Sequence, residues 1–322
     1  MGPRRSFRSK WIWLLGGVIL LISWRSQQPL TAQQEPVALQ REPHADEPDD
    51  LVQPDVIKIS IKRAGLSGSS EIGMVTQVYR PPGDGPFPVV VFAHGRGNLA
   101  QRQALKSPVF VGHANFWLRK GFAVVASIRP GYGETGGVDR EDPGHTWRGG
   151  ACFGNPDFAH TAVTAGAAVR DDLTWLSSQR WARTDQIMLV GQSLGGLAIV
   201  GVGAQNPAGV VGYINFSGGS GGYPDGSPGR SCMPGKLTTL YGEFGKTTKI
   251  PSLWLYAEND LYWGPDAPRE WHKAFSAGGS KTHFVMTSPV PGVRDGHRLL
   301  NVGGRLWSPH VNHFIEDLGL KW

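Results

Sequence analysis

One stretch constrains this chain more than any other. The apolar run Ile187-Met-Leu-Val190 passes directly into Gly191-Gln-Ser-Leu-Gly195-Gly196 and then into an Ala-, Gly- and Val-rich segment, 194–204. A short apolar run ending in a Gly-x-Ser-x-Gly turn that opens a helix is a strand–elbow–helix unit. The apex of so sharp a turn is strained, and its neighbours pack so closely that side chains at Gly191, Gly195 and Gly196 would clash. The helix that follows turns its free N–H groups toward the apex, where negative charge can develop. Ser193 is therefore the candidate nucleophile. A glycine-flanked turn serine without chemistry is the bland alternative, and only the rest of the chain can decide against it.

The remainder shows repeated alternation. Segments 56–63 and 72–80 read as an antiparallel opening pair around the glycine-rich 65–68, and Pro81-Pro82-Gly-Asp-Gly-Pro86 ends the second. The run 87–93 is apolar throughout, as a strand buried on both faces must be. Further strands are expected at 122–128, 187–190, 210–216, 252–256 and 282–286, with helix-length segments between most of them. This predicts an α/β domain with a mostly parallel sheet of about eight strands covered by helices on both faces.

A serine hydroxyl needs a general base, and the base needs an orienting acid. On a sheet of this kind the order along the chain is serine, acid, histidine. The strand at 252–256 ends in Ala257-Glu-Asn-Asp260, which offers Asp260, with Glu258 as the alternative. After the last strand comes Gly292-Val-Arg-Asp-Gly-His297, where the base is expected, so His297 is assigned to that role. His272, His283, His310 and His313 fall inside predicted elements and read as structural, and Asp295 reads as a loop acid. The strand 87–93 runs into His94-Gly-Arg-Gly97. An oxyanion hole is expected from the N–H of Leu194 and a second N–H from this loop, that of Arg96 or of Gly95. The Arg96 side chain faces either the pocket or the surface.

With Phe92-Ala-His-Gly-Arg-Gly97, Arg129-Pro-Gly-Tyr-Gly-Glu134, Gly191-Gln-Ser-Leu-Gly-Gly196, Glu258-Asn-Asp260 and Asp295-Gly-His297 in hand, the chain resembles the α/β-hydrolase superfamily. Within it the likeness is to the dienelactone hydrolase-like and prolyl-oligopeptidase-like serine esterases, from about Val75 onward. Ser193 stands where dienelactone hydrolases carry cysteine. The resemblance implies the α/β-hydrolase fold and a cofactor-free esterase that works through an acyl-enzyme on a small-molecule ester. A peptidase or amidase could use the same triad. An acyltransferase and a non-catalytic envelope-binding protein are the more distant readings.

Cys152 and Cys232 are the only cysteines. Both lie in Gly/Pro-rich stretches that follow predicted strands, so an oxidising compartment would invite a Cys152–Cys232 disulfide. Trp147, Tyr223, Tyr262 and Trp263 fall in loops at the same sheet edge and are candidates to line the substrate pocket. No Cys/His cluster has metal-ligand spacing, so no metal is expected.

The formal charge of +6 is unevenly spread. The first 32 residues hold five basic residues and no acid, whereas 33–55 hold seven acids against Arg41. Basic residues beyond that are scattered without aromatic interleaving, which argues against nucleic-acid binding. Residues 1–32, with a basic start and the apolar run 11–24, read as a signal peptide. That run is too short for a comfortable membrane span. Export to the periplasm or beyond is expected, by an ordinary secretory signal or by a twin-arginine one carried on Arg4-Arg5. An uncleaved anchor is the alternative. Residues 33–55 read as a flexible acidic linker and 56–322 as the catalytic domain. Nothing in the sequence sets an oligomeric state.

Overall fold

The computed structural model describes residues 53–65 and 68–320, all within one compact unit. The segment 1–32 expected to be a signal peptide and most of the expected linker lie outside the described residues. In chain order the elements begin with strands β1 (Asp55–Gly65), β2 (Gly68–Tyr79) and β3 (Phe87–Ala93). Helices α1 (Leu99–Gln103) and α2 (Val111–Arg119), strand β4 (Ala123–Ser127) and the hairpin β5 (His145–Arg148) with β6 (Ala151–Gly154) follow. Then come α3 (Phe158–Leu176), β7 (Ala182–Gln192), α4 (Leu194–Gly203), β8 (Val210–Phe216), β9 (Gly222–Tyr223) and β10 (Ser227–Ser231). The chain closes with α5 (Pro234–Thr247), β11 (Ser252–Ala257), α6 (Asp266–Ser276), β12 (Thr282–Thr287), α7 (Leu299–Val302) and α8 (Gly304–Asp317).

Eight strands form one sheet in the order β1-β2-β4-β3-β7-β8-β11-β12. From β4 to β12 every pairing is parallel; β1 with β2 and β2 with β4 are antiparallel. This is the mostly parallel eight-stranded sheet that the alternation predicts. β1 begins at Asp55, so the first strand takes in the last residue of the acidic segment.

The unbroken apolar runs are explained by burial on two faces. In β3, Val89 and Val91 join a core with Ala162 of α3, Leu197 of α4 and Trp271 of α6, while Val90 and Phe92 join another with Trp117 of α2 and Trp307 of α8. In β11, Trp254 and Tyr256 face the first core, and Leu253 and Leu255 the second. Each side chain of a strand removed from water in this way contributes roughly 1.5–3 kcal/mol before entropy is counted.

The chain steps from β3 to β4 on one side and then crosses to β7 on the other side of β3. Such a reversal leaves a crevice beyond the carboxyl ends of β3 and β7, the usual place for a ligand in an open α/β sheet. The loop after β3 and the turn after β7 both emerge there. The two hairpins were not expected from the sequence, where short Gly-rich strands look like loop.

Candidate active site

β7 ends at Gln192, and Ser193 caps α4 with φ 56° and ψ −123°, a conformation that favours glycine. Its N–H donates to Phe216 O at 2.9 Å, and its carbonyl accepts from Gly219 N at 3.1 Å, which holds the apex in place from both sides. A Cβ on Gly195 would overlap Ala93 O, and one on Gly191 would overlap the carbonyl of Gly195, so the elbow closes only with glycine at both positions. All ten residues of α4 are buried, which anchors the elbow to the core.

Asp260, four residues beyond Tyr256 on the loop after β11, is fully buried at its side chain. Its Oδ1 accepts the amides of Tyr262 at 2.8 Å and Trp263 at 3.2 Å, and its Oδ2 lies 3.0 Å from His297 Nδ1. Glu258, the alternative acid, is exposed. His297 sits in a 3₁₀ turn capped by Asp295, whose Oδ1 accepts from His297 N and from Leu261 N, each at 3.0 Å. Asp295 thus ties the histidine turn to the acid loop, a role its sequence context did not reveal. Nδ1 engaged with a carboxylate leaves His297 Nε2 as the nitrogen for proton transfer.

Tyr262 stacks on the His297 ring with centroids 4.0 Å apart and planes at 27°. Trp263 meets the same ring edge-on at 5.4 Å and donates its Nε1–H to Ser217 O at 2.8 Å. The histidine is therefore held by a carboxylate, a capped turn and two aromatic rings. No hydrogen bond to Ser193 Oγ is formed among the described residues, although Ser193 and His297 border the same cavity. Such contacts commonly tighten only when substrate is bound.

The loop His94–Gly97 faces the elbow closely: a Cβ on Gly95 would come 3.1 Å from Ser193 Cβ. The amide of Leu194, first in α4, has no acceptor within its own helix, and no hydrogen bond from Arg96 N is formed among the described residues. Neither of the two amides expected to form an oxyanion hole is thus engaged elsewhere.

Beneath this loop lies a network in which the roles of Arg129, Glu141 and Tyr132 were not evident from the sequence, whereas His94 reads there as a support of the loop and not as a base. Arg129 forms a two-pronged pair with Glu141 (Nε–Oε1 2.6 Å, Nη2–Oε2 3.2 Å) and donates to the carbonyls of His94 and Gly95. The Arg129 amide donates to His94 Nε2 at 3.1 Å, and Tyr132 Oη donates to Glu141 Oε2 at 2.5 Å. Burial, and then the charge of Arg129, hold the His94 pKa well below the usual histidine value, so its ring is a neutral brace and not a base. Arg96 pairs with Asp139 through both Nη atoms at 2.6–2.7 Å, and Arg102 shares the same carboxylate. Burial opposes the Arg96 charge, but the Asp139 carboxylate outweighs it and raises the pKa.

Of the four aromatic residues read as pocket candidates, Tyr223, Tyr262 and Trp263 border a cavity beside Ser193. Trp147 borders neither of the two cavities there. It stacks behind Tyr223 at 5.7 Å and donates its Nε1–H to Gly221 O. The Cys152–Cys232 disulfide is formed and joins β6 to the segment just before α5. Of the four histidines read as structural, His272 bonds Thr282 Oγ1, while His283, His310 and His313 are exposed. Among the described residues no His/Cys/Asp/Glu group could hold a metal ion.

No family model matches the chain, and no curated protein is similar to it in sequence. Solved structures are similar in fold. An uncomplexed acylaminoacyl peptidase from Pyrococcus horikoshii superposes over 83% of this chain at 13% identity and TM-score 0.53. A puromycin hydrolase S511A mutant complexed with PGG superposes over 85% at 15% identity and TM-score 0.57. A 2,6-dihydroxy-pseudo-oxynicotine hydrolase superposes over 82%, at 15% identity and TM-score 0.51, and 70% of that protein is covered. The chain spans about two-fifths of the length of the first two, 42% and 41%. These likenesses establish an α/β-hydrolase fold.

Proposed function

We propose that this chain, an α/β-hydrolase by fold, is a serine hydrolase that cleaves carboxylic esters of small molecules through an acyl-enzyme. One observation carries the reading: the left-handed elbow residue Ser193 shares a cavity with His297, whose Nδ1 is held 3.0 Å from the buried carboxylate of Asp260.

His297 Nε2 takes the proton of Ser193 Oγ as the oxygen attacks the carbonyl carbon. The charge that develops on the carbonyl oxygen falls between the amides of Leu194 and Arg96. Removing one such donor from a hydrolase typically costs about 10²–10³ in rate. As the C–O bond to the leaving group breaks, His297 passes its proton to the departing oxygen. Water then repeats the sequence in reverse: His297 deprotonates it as its oxygen bonds to the acyl carbon, the acyl carbon–Oγ bond breaks as His297 returns the proton to Oγ, and the acid is released. Asp260 holds the imidazole tautomer throughout and stabilises the imidazolium without taking the proton.

Export to the periplasm or the medium belongs to the same reading. It is supported by the Cys152–Cys232 disulfide, since such bonds persist in oxidising compartments. Among the described residues no helix is long and apolar enough to cross a membrane.

The test is a panel of p-nitrophenyl esters of graded acyl length, run with wild type and Ser193→Ala, together with labelling by a fluorophosphonate. Turnover and labelling that both vanish in the variant are expected. Undiminished activity in Ser193→Ala would remove the serine from the mechanism. Labelling without ester turnover would favour the amide-cleaving alternative.

A further inference from the structure

Ser193 lies where two cavities meet. The first, of about 440 Å³, is bordered by His297, Arg102 and Arg298. The second, of about 350 Å³, is bordered by Leu194, Tyr223 and Trp263. Arg96 and Tyr262 border both.

The direction of the reaction assigns an arm of the substrate to each, given the serine hydrolase reading above. The departing oxygen must receive its proton from His297, so the leaving group projects into the cavity that contains His297. The acyl carbon stays on Ser193, which borders both cavities, so with the leaving group in the first the acyl arm is directed to the second.

The two cavities differ in charge. The first is bordered by three guanidinium groups, Arg96, Arg102 and Arg298, against one carboxylate, Asp295, whose Oδ1 is already engaged by two amides. Behind Arg96 and Arg102, Asp139 pairs with both, and Glu141, 3.8 Å from Arg96, also pairs with Arg129, so two carboxylates face the three guanidinium groups of Arg96, Arg102 and Arg129. Arg298 is exposed and forms no ion pair among the described residues, while Arg102 Nε is buried without a hydrogen-bond partner. The second cavity has Asp225 on its border and no cation beyond the shared Arg96, since burial lowers the His145 pKa and keeps its ring neutral.

We propose that the substrate has two arms, with a carboxylate on the leaving group seated against Arg102 and Arg298, and a neutral acyl arm lying against Tyr223 and Trp263. The planar guanidinium fork matches a carboxylate in two-point contact. The same anion in the second cavity would meet Asp225 instead.

A matched set of butanoate esters tests this: the para-carboxyphenyl ester, its methyl ester and its carboxamide. An ionised carboxylate withdraws electrons less than either neutral group, so intrinsic reactivity works against the expected preference. Wild type should favour the carboxylate ester by about tenfold in kcat/KM, worth 1.4 kcal/mol, and Arg298→Gln should bring the ratio toward unity. A wild-type ratio at or below one, or a ratio unchanged in Arg298→Gln, overturns the inference. Calorimetric binding of para-hydroxybenzoate and para-hydroxybenzamide to Ser193→Ala keeps the question open to refutation even without turnover. Tighter binding of the carboxylate, lost in Arg298→Gln, is expected, and equal binding overturns the inference. Failure of wild type to label with a fluorophosphonate counts against the hydrolase reading, and the calorimetric comparison still decides whether the cavity takes an anion.

Discussion

Arg129 and Glu141 form an ion pair directly beneath the loop that faces Ser193: Arg129 Nε lies 2.6 Å from Glu141 Oε1, and each side chain is 2% exposed. The pair ties the end of β4 to the loop that leads into β5. Because Arg129 also donates to the carbonyls of His94 and Gly95, it fixes the backbone of that loop.

Removing one charge of this pair leaves the other buried and uncompensated. Glu141→Gln is expected to destabilise the fold by about 3–5 kcal/mol and to lower kcat more than it raises KM. Urea unfolding checks the first part and steady-state kinetics at a temperature where the variant is folded checks the second. A variant with wild-type stability would show that the pair is not the support described.

Asp260 accepts three hydrogen bonds, and only the one from His297 bears on the imidazole. Asp260→Asn keeps the shape but stabilises the wrong tautomer of the ring, so kcat should fall by about 10³–10⁴. The circular dichroism and melting temperature should change little. A loss below tenfold would leave the orienting role with another group.

Asp172, on α3, is buried and accepts a hydrogen bond from Ser127 Oγ at 2.6 Å, with Thr76 Oγ1 2.7 Å beyond. Burial pushes its pKa up to about 8, against roughly 3.9 in an unfolded chain. Between these values the folded state binds the extra proton. The stability that this group contributes is therefore full below about pH 4 and is lost as pH rises toward 8. Asp172→Asn imitates the protonated form, so the variant should gain a few kcal/mol on wild type between pH 5 and 8. Parallel pH–stability curves for the two proteins would refute this.

The Cys152–Cys232 bond closes a loop with a sequence separation of 80 and anchors the β5–β6 hairpin. On the chain-entropy model, replacing both cysteines by serine should cost about 4 kcal/mol. Because Trp147 on that hairpin backs Tyr223, KM should also rise for esters with bulky acyl groups and change little for acetates. Thermal unfolding and a KM series along acyl length distinguish the two effects.

Much of this site can be read along the chain. Ser193, Asp260 and His297 each follow a strand whose apolar run is evident, and a parallel sheet brings such strand ends to one edge, so their order alone places them together. The choice of Asp260 over Glu258 follows the same logic: the residue further into the loop turns back over the edge and is buried, while Glu258 points to solvent. The short hairpins were illegible because β5, β6, β9 and β10 hold two to five residues each and are rich in glycine and polar side chains. No periodicity can build up over so few positions.

The supports of the site belong to tertiary structure. That Arg129 meets Glu141, that Asp295 caps the histidine turn, and that Tyr262 lies flat on His297 depend on angles between loops, which no local pattern records. Strand periodicity and the glycine elbow are local consequences of backbone sterics and burial, and they survive in the sequence as spacing. The charge of the cavity does not survive in that way. Arg96, Arg102 and Arg298 come from two distant stretches, and whether they surround an anion or one another is decided only where the loops close over the crevice between β3 and β7.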